Sequence, residues 1–179
     1  MKNNRVVLDM DGVLADFEGK FCEVFGYDHR ELIKLEERYP DRANEIKEFT
    51  NSSETYQSLE PIGLGLKIAK YLTLNHFQVS VISSRPTSCF VTTTRWLNQY
   101  GVQREWLSLN PKNKVANIKR LSPLFAIDDI PAVAWECARI KIPAMLLKQP
   151  WNETDEFPVK IEDAGEFRVE LNSILEKEQ

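Results

Sequence analysis

The chain has 179 residues, enough for one compact domain or one core with a small insertion. Its 42% hydrophobic and 28% charged content excludes disorder as the default state. A formal net charge of −4 gives no general attraction to nucleic acid or to an anionic membrane surface, so any anionic substrate has to be held by local positive groups.

Met1 to Arg5 leads straight into the apolar run Val6-Val7-Leu8, which Asp9 ends. Such a run is neither a signal peptide nor a membrane span, and the expectation is a cytoplasmic protein. Val6-Val7-Leu8 reads as a short buried strand. Four further runs read the same way: Val79-Ser80-Val81-Ile82, the weaker Trp106-Leu107-Ser108-Leu109, Leu124-Phe125-Ala126-Ile127 and Ala144-Met145-Leu146-Leu147. Helical apolar spacing lies between them, at 64–74, 91–100, 114–121 and 132–140, with Pro131 fitting a helix start. Strand alternating with helix predicts an α/β fold, a parallel sheet covered by helices on both faces. Trp151 to Lys160 reads as a loop, and 164–178 as a final helix. Trp96 and Trp135 sit in helical patterns and are expected in the core.

The first two strands are separated by about seventy residues, where a βαβ unit needs roughly thirty. Residues 18–60 are rich in Glu, Lys and Arg and contain helical stretches near 18–25, 29–38 and 41–50. They are read as a small helical cap, inserted into a core made of residues 1–17 and 61–179. The alternative is a decorated edge of the core with no role as a lid. The three cysteines, Cys22, Cys89 and Cys137, are scattered and form no C-x-x-C pair, and neither His29 nor His76 joins them at ligand spacing, so reduced thiols are expected.

Carboxylates at the strand ends carry the chemical information. In an open parallel sheet, ligands bind beyond the carboxyl ends of the strands. Asp9 and Asp11 follow the first strand, Ser83 and Ser84 the second, and Asp128 and Asp129 the fourth. Clustered carboxylates repel one another and are costly to bury, and a hard divalent cation such as Mg²⁺ resolves the conflict. Asp9 is placed to attack phosphorus, and Asp11, two residues on, to serve as general acid and base. The Ser83 hydroxyl is suited to a phosphoryl oxygen, and Lys114, opening a helix, offsets negative charge. A calcium loop is excluded: counted from Asp9, the fourth position is Gly12, the fifth Val13 and the twelfth Lys20. Ordinary turn residues after a strand would account for Asp9 and Asp11 alone, but not for the Ser-Ser and Asp-Asp pairs after later strands.

In this pattern Asp9-Met10-Asp11-Gly12-Val13-Leu14 resembles the first motif of the haloacid dehalogenase (HAD) superfamily of phosphohydrolases. Val81-Ile82-Ser83 is similar to the second, Lys114 to the third, and Phe125-Ala126-Ile127-Asp128-Asp129 to the fourth, all in order between residue 5 and about residue 150. The resemblance implies a three-layer Rossmann-like core. It also implies that Asp9 is nucleophile and metal ligand, and that Asp11 is the general acid/base with a metal-binding carbonyl. Ser83 and Ser84 would bind phosphate with Lys114, for which Lys112 is a rival. Asp129 would bind Mg²⁺, with Asp128 beside it. Dehalogenases of the superfamily lack the second acid, so a dehalogenase is not expected.

Within the superfamily, residues 9–18 and Leu59-Glu60-Pro61-Ile62 resemble the 5'(3')-deoxyribonucleotidase group, and Gln149-Pro150-Trp151-Asn152 resembles a loop of nucleotidase-like bacterial proteins. This implies a phosphomonoesterase acting through an aspartyl-phosphate on a small phosphorylated substrate, a (deoxy)nucleotide first of all. Phe17 would line the base pocket, and Arg85 would reach phosphate or sugar, or only pair with a surface acid; Tyr56 and Phe49 are further pocket residues or simple packing, and Trp151 would line the pocket mouth or cover the sheet edge. Ser84-Arg85-Pro86 departs from the eukaryotic Ser-Pro, and Ser-x-Arg endings occur in polynucleotide phosphatases. The alternatives are therefore a sugar-phosphate phosphatase, a phosphatase of nucleic-acid 3' ends, or a HAD-fold binding module without catalysis. No membrane partner and no stable nucleic-acid binding are expected; a homodimer is left open.

Overall fold

The computed structural model describes residues 3–26 and 39–177. The expected helical stretch near 29–38 lies outside the described residues. Six strands form one parallel sheet: β1 (Arg5–Leu8), β2 (Gln78–Ser83), β3 (Trp106–Leu109), β4 (Phe125–Asp128), β5 (Ala144–Leu147) and β6 (Lys160–Ile161), in the order β3-β2-β1-β4-β5-β6. The five apolar runs become β1 to β5. The two-residue β6 falls at the end of the segment read as a loop, since two residues carry no periodicity.

Strand alternation divides the core into two layers. Val6 and Leu8 of β1, Val79 and Val81 of β2, Phe125 and Ile127 of β4, and Met145 and Leu147 of β5 pack on one face. They meet α4 (Gly63–Leu74), α5 (Phe90–Gln99) and α8 (Ala164–Lys177) through Ile68, Leu72, Trp96, Leu97, Phe167 and Leu171. Val7, Ile82, Ala126 and Leu146 point the other way. They meet α6 (Lys114–Leu121) and α7 (Pro131–Arg139) through Val115, Ile118, Ala134 and Cys137. The result is the three-layer α/β architecture expected from the sequence.

Trp96 is fully buried and donates its indole N–H to the Leu59 carbonyl at 2.8 Å. Trp135 departs from its expected place in the core. It is 46% exposed, and its ring meets Phe157 edge-on, because it lies on the outer side of α7.

Between β1 and α4 the chain forms α1 (Phe17–Phe25), a 3₁₀ turn at Pro40–Arg42, α2 (Ala43–Asn51) and α3 (Ser53–Gln57). Phe21, Phe25 and Ile46 make a hydrophobic cluster of their own, with Tyr39 and Phe49 packed against it. The chain leaves and returns at one place: Asp16 N–H donates to the Glu60 carbonyl and Ile62 N–H to the Leu14 carbonyl, both at 2.8 Å.

Gly65 of α4 lies against the chain where it makes this crossing. A Cβ there would overlap the Val13 carbonyl, which belongs to backbone and has little freedom to yield. Gly65→Ala is expected to cost about 2–3 kcal/mol by overpacking, a fall of roughly 5–10 °C in Tm for a chain of this size, measured by thermal unfolding.

Candidate active site

β1 sits at the point where strand succession reverses. From β1 the chain adds β2 and β3 on one side, then crosses back to add β4, β5 and β6 on the other. Such a switch point opens a crevice at the carboxyl ends of the strands. Asp9 continues β1 there, its N–H donating to the Ile127 carbonyl of β4 at 2.9 Å. Asp128 ends β4 and Asp129 follows it. Met10 to Ala15 fold into a tight turn in which the N–H groups of Leu14 and Ala15 both donate to the Met10 carbonyl. Gly12, at φ +84°, takes the left-handed conformation that this turn requires.

Asp9, Asp128 and Asp129 are all buried, and one oxygen of each lies within 4.8 Å of the others. Lys114, the first residue of α6, reaches into them. Its Nζ stands 2.8 Å from Asp9 Oδ2 and 2.7 Å from Asp128 Oδ2. Asn113 caps the helix by accepting from the Ala116 N–H, which fixes where Lys114 leaves the backbone. Lys112 is exposed and makes no ion pair with the cluster.

Three buried carboxylates share one ammonium, and the ionisation equilibria follow. Burial pushes the Asp9 carboxyl up to about 7 against the pull of Lys114, and Asp128 and Asp11 push the same way. Burial, with Asp128 and Asp9 nearby, drives Asp129 well above the usual carboxylate range. Burial disfavours the charge on Lys114, but Asp128 and Asp9 outweigh it and raise its pKa.

Asp129 Oδ2 accepts from the Trp151 indole, while Asp129 Oδ1 is buried without a hydrogen-bond partner. An excess of buried negative charge, an unpartnered carboxylate oxygen and an all-oxygen donor set fit a hard divalent cation. Asp9, Asp128 and Asp129 therefore have the donor chemistry for such a cation, while the Asp11 carboxylate lies outside this cluster.

Asp11 points to the other side of the crevice. Arg85 grips it in a two-pronged ion pair, Nη2 to Oδ1 at 2.6 Å and Nε to Oδ2 at 2.8 Å. The Arg85 side chain is completely buried. Its Nη1 donates to Thr93 Oγ1 at 3.2 Å, and its guanidinium lies 4.5 Å from the centre of the Tyr56 ring. Burial and the Asp11 charge raise the Tyr56 phenol, so the ring meets the guanidinium as a neutral phenol. Ser83 is buried, its Oγ 3.5 Å from Asp11 Oδ2 and accepting from the Arg85 N–H at 3.1 Å. Ser84 is exposed. Phe17 is half-buried at the start of α1, stacked on Tyr56 at 5.8 Å and tilted against Phe49 at 5.5 Å.

The structure thus brings Asp9, Lys114, Asp128 and Asp129 into one cluster, and Asp11, Ser83 and Arg85 into an adjoining one. The Arg85–Asp11 grip and the Trp151–Asp129 hydrogen bond join residues 74 and 22 positions apart, and no local pattern in the sequence signals either.

No family model and no curated protein sequence matches the chain. Solved structures do match it. A candidate phosphatase from Clostridium difficile superposes with a TM-score of 0.67 at 15% identity, over 96% of this chain and 99% of that one. A HAD-superfamily hydrolase of subfamily IA, variant 1, from Geobacter sulfurreducens gives 0.59 at 14% identity, over 94% and 96%. A chain of the Pnkp1/Rnl/Hen1 RNA repair complex gives 0.55 at 16% identity, over 81% of this chain but 42% of that one. At such identities the likeness establishes the architecture, and function has to be argued from the site. The three-layer α/β architecture is one that this chain shares with solved HAD-superfamily hydrolases.

Proposed function

We propose that this protein is a Mg²⁺-dependent phosphomonoesterase that works through an aspartyl-phosphate on Asp9, with a (deoxy)nucleotide as substrate in the manner of the 5'(3')-deoxyribonucleotidases. The observation that carries the reading is the buried cluster of Asp9, Asp128, Asp129 and Lys114 at the switch point of the sheet. Asp9, Asp129 and Asp128 would hold the cation, with the Asp11 carbonyl as a further ligand. When bound, the cation offsets carboxylate and phosphoryl charge during the displacement.

The chain's own residues supply the rest. Lys114 holds the Asp9 carboxylate through Oδ2 and neutralises negative charge beside it. An Asp9 oxygen attacks phosphorus, and the ester oxygen departs with a proton from Asp11. In the second half, Asp11 takes a proton from water, the resulting hydroxide attacks the aspartyl-phosphate, and phosphate leaves with Asp9 restored. Arg85 holds both oxygens of the Asp11 carboxylate, so one prong of that grip has to open for Asp11 to carry the proton of the first transfer. Ser83, Ser84 and Lys114 would bind the phosphoryl oxygens. The segment 18–60 acts as a cap, hinged where residues 14–16 and 60–62 pair, with Phe17 offering an aromatic face to a base.

A second reading, hydrolysis of a 3'-phosphate on a nucleic-acid end, has one observation in its favour: the likeness to a chain of an RNA repair complex, together with the Ser83-Ser84-Arg85 sequence. The net charge of −4 counts against it, since phosphate backbones reward dense positive charge.

A panel of dUMP, dTMP, sugar phosphates and a 3'-phosphorylated oligonucleotide separates these substrates. The expected result is phosphate release from the deoxynucleotides with Mg²⁺. EDTA is expected to abolish it and added Mg²⁺ to restore it. Hydrolysis of sugar phosphates with none of any nucleotide would defeat the nucleotidase assignment.

A further inference from the structure

The loop after β5 reaches two other strand ends. Gln149 Nε2 donates to the Gly12 carbonyl at 2.8 Å, in the turn after β1. Asn152 Nδ2 donates to the Asp129 carbonyl at 2.8 Å and to the Leu147 carbonyl at 2.9 Å, beyond β4 and at the end of β5. Within the loop, Gln149 N–H donates to Asn152 Oδ1 and Asn152 N–H to the Gln149 carbonyl. Asn152 is 1% exposed, so these bonds are made away from solvent.

Trp151 sits inside this brace. Its indole Nε1 donates to Asp129 Oδ2 at 3.0 Å. The Asp129 carboxylate also lies against Gly12, so closely that a Cβ on Gly12 would overlap it. The carboxylate thus meets both the indole N–H and the bare Cα of Gly12. Of its two oxygens, one is bound by the indole, and the other, Oδ1, is buried without a partner. A buried carboxylate oxygen normally finds a donor or a cation.

We infer that Trp151 is a positioning residue that turns Asp129 so that Oδ1 faces the divalent cation, and that its indole reports occupancy of that site. This rests on the reading that Asp9, Asp128 and Asp129 hold Mg²⁺. An indole N–H suits the task because it donates only: it cannot ligate a cation or take up a proton. It restricts the carboxylate without competing for the ion, as groups behind metal ligands commonly do. Trp151 is partly exposed and lines a cleft with Ile130, Pro131 and Trp135, so its indole is also in contact with solvent.

The test uses the whole chain without substrate. Mg²⁺ binding is followed by titration calorimetry and Mn²⁺ binding by electron paramagnetic resonance, for wild type, Trp151→Phe and Asp129→Asn. Phe keeps the ring and loses the donor. Its expected effect is a weakening of both ions by about 10–100-fold, with Tm in EDTA unchanged. Asp129→Asn is expected to weaken them further. Tryptophan emission of the wild type is expected to change on adding Mg²⁺; the change should persist in Trp135→Phe and Trp106→Phe and vanish in Trp151→Phe. Wild-type affinity in Trp151→Phe, or a Mg²⁺-dependent emission change that survives in it, overturns the inference while leaving the phosphatase reading in place. A wild type that binds neither ion overturns both.

Discussion

Asp9→Asn is expected to lower hydrolysis of p-nitrophenyl phosphate by roughly 10⁴-fold or more, the scale on which loss of a covalent nucleophile falls. Without added metal, the variant is expected to melt no lower than wild type. The two halves of this result have one cause. Burial pushes the Asp9 carboxyl up to about 7, so in the absence of a cation its negative charge opposes the fold. An amide of the same shape removes that charge, and Lys114 keeps its second partner, Asp128 Oδ2, at 2.7 Å. A purely structural Asp9, valued for its ion pair, would behave the other way: Tm would drop and hydrolysis would persist. Steady-state kinetics and thermal unfolding on the same preparation decide the matter. Retained activity in Asp9→Asn would remove the nucleophile assignment whatever the melting curve shows.

What the sequence makes legible follows from local pattern. The apolar runs fall on β1 to β5, within a residue or two at each end, because the strands of a covered parallel sheet are short apolar runs bounded by turns. Lys114 and Pro131 open α6 and α7 as their positions suggest. The strand-end acids are visible because the chain must place them one or two residues beyond an apolar run. Contacts between distant segments leave no such trace. Arg85 reads as a residue that could reach phosphate or sugar, or pair with a surface acid; in the fold it does pair with an acid, but in a buried grip on Asp11, sealed against Thr93 and Tyr56. The sequence holds no sign of this, since an arginine buried by three separate elements has the same neighbours in the chain as an exposed one. Trp135 misleads for the opposite reason: helical spacing places a residue on a face, but the depth of that face depends on what covers it. The segment 53–57 escapes notice as a helix because five residues are too few for a periodic signal.

Lys114→Met carries the second large effect, and it tests charge rather than nucleophilicity. The substitution keeps the length of the side chain and removes its only charge. It leaves Asp9, Asp128 and Asp129 buried together with no ammonium among them. Breaking a buried pair by removing one partner costs about 3–5 kcal/mol, and metal-free Lys114→Met is expected to lose stability on that scale in urea unfolding. Hydrolysis is expected to fall by roughly 10²–10³-fold, the scale of losing one fixed electrostatic contact to developing charge. Mg²⁺ should then stabilise the variant more than it stabilises wild type, because the cation becomes the only positive charge in the cluster. Lys112→Met is the control: the side chain is exposed, and neither stability nor hydrolysis should change appreciably. Equal effects of the two substitutions would show that the negative cluster does not depend on Lys114. A Mg²⁺ stabilisation no larger in Lys114→Met than in wild type would mean that the cation and the ammonium do not answer the same excess of charge, and the three carboxylates would then need another account.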